Sequence, residues 1–203
     1  LNSKIIGNPK SIDFFFFIKI KKKKKFLFFK KKKKMNKNDR KFNKKLGGGC
    51  ILDLGCYPTS FSLLINSINN KIDKFNFSLS NISKDISETG IDIHSSVELL
   101  FKNGFKSKVE TSFKKDIGSK SVIKGNKGKI IINDTWKGND SVVLKKEDKY
   151  QVRNFDKNKS VYFYQIEQIS KNILSGHKKV LYPGMDFEET LFNMKIIDNW
   201  INE

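Results

Sequence analysis

The chain has 203 residues, 31% of them charged and 37% apolar, and a formal charge of +20. That length is enough for one domain with its own core, or at most two small ones. Twelve lysines and no acidic residue lie between Lys19 and Lys37, so one window carries most of the excess charge. A basic surface spread evenly over the fold is thereby excluded.

The first residues run through Gly7-Asn8-Pro9, a turn signal, into a strand expected at Ser11 to Ile18. Phe14 to Phe17, Lys21 to Lys25, Phe26-Leu27-Phe28-Phe29 and Lys30 to Lys34 then follow as blocks with neither helical nor strand period. Three readings stay open for this segment at 14–37. It could dock nucleic acid or an anionic membrane through its charge and rings. It could be a solvated insertion. It could also be the product of A/T-rich codons or of a slipped reading frame. A signal peptide fits poorly, because the basic and apolar blocks come in the wrong order and no small-residue cleavage site follows. Since no run of about twenty apolar residues is present, a soluble, cytoplasmic protein is expected.

The centre of the sequence is Gly47-Gly48-Gly49-Cys50-Ile51-Leu52-Asp53-Leu54-Gly55-Cys56-Tyr57. Consecutive glycines allow close backbone approach. On a helix, Asp53 and Tyr57, four apart, would share one face. A carboxylate beside a phenol suits proton transfer to or from a hydroxyl. Two structural roles remain open: Asp53 as a cap for a helix beginning near Gly55, and Tyr57 as a half-buried aromatic.

Apolar spacing predicts a helix from Tyr57 to Ile68. Strands are expected at Lys74 to Ser80, Ile91 to Phe101, Phe105 to Phe113, Ser121 to Ile123, Lys129 to Ile132 and Ser141 to Lys145, separated by turn residues. Two helices close the chain: Tyr162 to Ser175, with Ile166, Ile169 and Ile173 on one stripe, and Asp186 to Asn202, with Asp186 as cap. Strands followed by helices predict an α+β domain, a mostly antiparallel open sheet with helices packed on one face.

Few other residues suggest chemistry. The sequence lacks a Gly-x-Gly-x-x-Gly between strand and helix, so no dinucleotide phosphate cradle is expected. Gly125-Asn126-Lys127-Gly128 reads as a hairpin turn. Cys50 and Cys56 have no Cys or His at metal-ligand spacing and are expected to be reduced, packed thiols, so no metal site is expected. His94 and His177 lack partners for nucleophilic catalysis. Trp136 and Trp200 read as core or interface residues, with Trp136 also placed to line a sugar site.

The glycine stretch, with Asp39-Arg40-Lys41-Phe42 before it, resembles the Gfo/Idh/MocA oxidoreductases, in the branch carrying Tyr where others have His. Thr89-Gly90-Ile91-Asp92, Ile123 to Ile130, and Tyr182-Pro183-Gly184-Met185 with Glu188-Glu189-Thr190-Leu191 follow in the family's order. The resemblance implies a C-terminal domain without its Rossmann domain. Residues 1–13 would be the end of the interdomain connection and the start of the first strand, 14–37 an anomalous insertion, and 38–203 the rest of the domain. It further implies Tyr57 as proton acceptor from a sugar or polyol hydroxyl, Asp53 as its partner, and Arg40 as a substrate contact. NAD or NADP would be bound mainly by the absent domain, supplied in cis or in trans. That domain would also bring the Glu-Lys-Pro lysine, which this chain lacks, so the chain alone is expected to be inactive. The resemblance implies subunit contacts through the open sheet as well.

Overall fold

The computed structural model describes residues 6–17, 39–69, 75–156 and 158–203. Eight strands form one sheet: β1 (Pro9–Phe17), β2 (Phe77–Ile86), β3 (Asp92–Phe101), β4 (Lys106–Ser112), β5 (Ser121–Gly125), β6 (Lys129–Ile132), β7 (Ser141–Lys146) and β8 (Lys149–Asn154). Their order is β2-β3-β4-β1-β5-β6-β7-β8. Every pair is antiparallel except β1 with β4, because β1 sits at the centre of a sheet whose other strands follow as hairpins. Three helices accompany the sheet: α1 (Cys56–Asn69), α2 (Val161–Leu174) and α3 (Phe187–Asn202). The expected α+β open sheet is therefore the fold.

The Phe14 to Phe17 block belongs to β1, where strand alternation explains it. Ile12, Phe14 and Phe16 point to the helix-covered face and are buried, while Asp13 and Phe15 take the opposite parity. The rest of the Phe/Lys segment, including Ile18, lies outside the described residues, as does Lys74 at the expected start of β2. That strand reaches Ile86, six residues past its expected end. An irregularity between Ser80 and Ser83, with Asn81 at φ 51°, lets pairing continue through polar residues. β8 was not expected. Its six residues are all exposed, so no buried face marked it, yet it pairs with β7 through Val143 and Val152.

The main core lies between the sheet and helices α1 and α3, and includes Phe14, Leu63, Ile65, Val97, Leu99, Ile123, Ile197 and Trp200. Trp200 is fully buried, and its indole N–H donates to Ser95 Oγ at 3.0 Å. Gly55 permits the close approach of α3, since a Cβ there would lie 3.0 Å from the Trp200 ring and 3.2 Å from Ile197. Thr59 Oγ1 donates to Asn193 Oδ1 at 2.6 Å, and Asn193 Nδ2 donates to the Cys56 carbonyl at 3.1 Å, tying α1 to α3. The helical run from Lys44 to Ile68 is long and apolar enough by composition to cross a membrane, although it includes Lys44, Lys45 and Asp53 and is no unbroken apolar run. More than half of it is buried within the domain, which is the ordinary place of a core helix.

Helix α2 departs from the expected packing. Ser160 caps it, and the apolar stripe forms as its spacing demands. Among the described residues, however, its one buried side chain is Asn172, and Ile166, Ile169 and Ile173 of the stripe are exposed.

Candidate active site

The site is built on the helical run that precedes and opens α1. Residues Ile51–Gly55 form a π-helical turn that passes directly into α1. Such wide turns leave the regular hydrogen-bond pattern and recur at functional sites. Its N-terminal amides have no cap from Cys50. The Asp92 carboxylate, at the start of β3, accepts from the Ile51 N–H at 2.6 Å instead. Gly49, with φ 127°, lies against that carboxylate so closely that a Cβ would overlap it. The Thr89-Gly90-Ile91-Asp92 landmark thus has a mechanical purpose: it supplies a tertiary cap to the turn that carries Asp53. Sequence reasoning assigned Asp92 no role, because its partner lies 41 residues away.

Asp53 is not a helix cap. It lies inside the π-helical turn, and its Oδ1 accepts from the Arg40 guanidinium at 2.7 Å while Oδ2 is 3.6 Å from Lys41 Nζ. Arg40 and Lys41 are delivered by a short helical turn, Arg40–Phe42, capped by Asp39 and anchored by buried Phe42. The Gly48 and Gly49 amides donate to the carbonyls of Asn43 and Lys41 at 2.9 and 3.0 Å, lacing that turn to the glycine stretch. The structure therefore brings Arg40 and Asp53 together, across a separation of 13 residues.

Tyr57 is the second residue of α1 and is 50% exposed. Its ring meets Phe16 edge-on with centroids 5.4 Å apart and lies 5.9 Å from Trp136, which itself packs on Phe16 at 5.1 Å. Trp136 comes from the connection between β6 and β7 and is partly buried in this aromatic group, so packing and proximity to the candidate site coincide in it. Its indole N–H is buried without a hydrogen-bond partner among the described residues. Burial pushes the Tyr57 phenol above its ordinary value, and the negative charges that Cys56, Asp53 and Tyr162 can carry push the same way. Tyr57 is thus held in its protonated form, the state of a proton donor.

Both thiols are held above their ordinary pKa. Burial first, and then the Asp92 charge, drive Cys50 far above the ordinary thiol value. Its sulfur lies 3.6 Å from the Thr111 carbonyl and accepts from Thr111 Oγ1 at 3.4 Å. Burial and Asp53 also raise Cys56. His94 is buried on the sheet with Nε2 3.6 Å from Glu110, and His177 is exposed. No group of three or more His, Cys, Asp and Glu side chains among the described residues is arranged to hold a metal ion.

Comparison with known proteins identifies the family. Residues 2–131 match the GFO/IDH/MocA C-terminal domain. The chain belongs to the GFO/IDH/MocA family. It is 26% identical over 175 residues to the trans-1,2-dihydrobenzene-1,2-diol dehydrogenase of Xenopus tropicalis, a match covering 82% of this chain and 50% of the relative. Among solved structures, it superposes on a mutant of KijD10, a 3-ketoreductase of Actinomadura kijaniata, crystallised with TDP-benzene and NADP. The TM-score is 0.74 at 15% identity, over 99% of this chain and 55% of that one. An aldose-aldose oxidoreductase of Caulobacter crescentus, complexed with glycerol, gives a TM-score of 0.73 at 15% identity, over 98% and 54%. These two likenesses establish the fold, and the chain spans about half the length of the relatives it matches.

Proposed function

We propose that this chain is the substrate-binding and catalytic half of a cytoplasmic NAD(P)-dependent oxidoreductase acting on a sugar, a polyol or a related hydroxyl compound. The observation that carries the reading is the Arg40–Asp53 pair, one helical turn before a half-exposed Tyr57 in a domain of this family. Family relatives support the substrate class: their names include a dihydrodiol dehydrogenase, a 3-ketoreductase and an aldose-aldose oxidoreductase.

The described residues include no Gly-x-Gly-x-x-Gly joining a strand to a helix, the motif that cradles dinucleotide phosphates, which supports assigning that binding mainly to another domain. What this chain supplies is the proton. A protonated Tyr57 donates to the substrate oxygen when a carbonyl is reduced, and in the reverse direction its phenolate accepts the hydroxyl proton. No cation contacts the Tyr57 ring among the described residues, and Asp53 opposes ionisation. The reverse direction therefore requires a positive charge from beyond the described residues. The missing Rossmann domain, in cis or in trans, is the proposed source, and without it the chain is inactive. Arg40 holds Asp53 in place and keeps an exposed guanidinium for a substrate oxygen.

Association of copies through the open sheet face is part of the same reading. Val122, Ile131, Val143 and Val152 stand in one cross-strand register line there. The alternative, in which the Lys/Phe window docks nucleic acid or membrane, rests on residues outside those described, and the comparisons lend it no support.

The test is a two-domain protein in which this chain follows the half of the Xenopus relative that lies outside the match. Expected is NADPH-dependent carbonyl reduction that Tyr57→Phe abolishes while the unfolding midpoint stays unchanged. Turnover undiminished by Tyr57→Phe would sink the assignment.

A further inference from the structure

Of the 41 lysines and arginines in the chain only two are arginine, and one of them, Arg40, stands at the candidate site. A guanidinium offers five N–H donors in a fixed fork that fits carboxylate and phosphate oxygens, as an ammonium does not. Arg40 donates to Asp53 Oδ1 at 2.7 Å, and its side chain remains 57% exposed. Lys41 Nζ lies 3.6 Å from Asp53 Oδ2, too far for a hydrogen bond, with 34% of its side chain exposed. Two cations therefore share one carboxylate, and a positive charge is left over.

The neighbouring groups do not cancel it. Asp39 is engaged with the Lys41 N–H and Asp92 with the Ile51 N–H. Cys56 and Tyr57 are both held toward their neutral forms, and Lys44 and Lys45 in the next helical turn add like charge. A basic run is by default a solvated face, but this pair is fixed in place. Asp39 caps its turn, buried Phe42 anchors it, and the Gly49 amide donates to the Lys41 carbonyl at 3.0 Å. The pair also stands on Asp53, one helical turn before Tyr57, a rise of roughly 5 Å. That is about the span from a ring hydroxyl of a sugar to an anionic group on its exocyclic carbon.

We propose that Arg40 and Lys41 bind an anionic group of the substrate, so that the compound reacting at Tyr57 is an acidic sugar, one that carries a carboxylate or a phosphate ester. The inference rests on the function proposed above and adds to it the charge of the substrate.

The test follows the Tyr57 resonance of the chain labelled with 13C-tyrosine, assigned with Tyr57→Phe, as D-glucuronate, glucose 6-phosphate, glucose or acetate is added. Expected is a saturable shift with at least one of the two acidic sugars, at concentrations roughly tenfold or more below those that glucose requires. A response to glucuronate alone identifies a carboxylate, and one to glucose 6-phosphate alone a phosphate ester. Lys41→Gln should weaken this binding several-fold, and Arg40→Gln combined with it should erase the preference for the acid, in proteins whose unfolding midpoint matches the parent. Glucose or acetate binding as tightly as the acidic sugars, no saturable shift with either acid, or a preference unchanged by Lys41→Gln would overturn the proposal.

The two readings fail separately. Turnover of the two-domain protein that survives Tyr57→Phe would end the catalytic reading and leave acid binding intact. Tyr57-dependent turnover that treats neutral and acidic sugars alike would end this one.

Discussion

Helices α1 and α2 are both 14 residues long, and each carries an apolar stripe, yet one is built into the core and the other lies bare. α1 is held at every level. Its lead-in turn is capped by Asp92, Gly55 admits Trp200, Thr59 is tied to Asn193, and Leu63 and Ile65 are buried. α2 has a good N-cap in Ser160 and an ion pair between Glu167 and Lys171, but Ile166, Ile169 and Ile173 stay exposed. Periodicity specifies that a helix has an apolar face, and the surroundings decide whether that face is core or contact surface. Helix α1 carries Tyr57 and its lead-in turn carries Asp53, so the groups to which proton transfer is assigned in the proposed function stand on the well-packed element.

Substitutions that loosen α1 should break this contrast most strongly. Trp200→Ala removes the largest fully buried side chain and is expected to cost about 4 kcal/mol, read from urea unfolding. Asp92→Ala leaves the Ile51 N–H without its cap and should cost about 2 kcal/mol. A loss below about 0.5 kcal/mol would mean that the turn is held by something else.

Asp53→Asn acts on the site with little effect on the fold. It removes one of the charges that keep the Tyr57 phenol protonated, so the phenol titration should move down toward the ordinary value. It should remain above that value, because burial is the larger cause. NMR of 13C-labelled tyrosine, with Tyr57→Phe for assignment, reads the shift. The sign for stability follows from the same raised phenol. Below the ordinary phenol value both states are neutral and the shift has no effect. Above it the unfolded chain ionises first, so stability falls as pH rises.

The smallest effect is expected on α2. Ile169→Ser in the chain alone should change stability by less than about 0.5 kcal/mol, since its side chain leaves no cavity behind. A loss of several times that amount would erase the difference between the two helices.

Much of this could be read from the residues in order. Strand alternation and turn residues located seven of the eight strands, and apolar spacing located all three helices to within two residues. Asp53, Tyr57 and Arg40 were legible as candidates because their spacing and motif are local. β8 was missed because neither of its faces is buried, and the cap role proposed for Asp53 failed because helical structure starts earlier than Gly55.

What the sequence alone determined, then, is local: which segments are strand or helix, which of their faces are apolar, and which side chains can move a proton. Tertiary structure decided everything that depends on residues distant in the chain. It set Asp92 as the cap of a turn 41 residues earlier, and it closed Arg40 onto Asp53. It also gathered Phe16, Tyr57 and Trp136 into one aromatic group, and it left the stripe of α2 uncovered. The reason is physical: hydrogen-bond geometry and side-chain period act over a few residues, whereas caps, ion pairs and burial depend on what the fold places alongside.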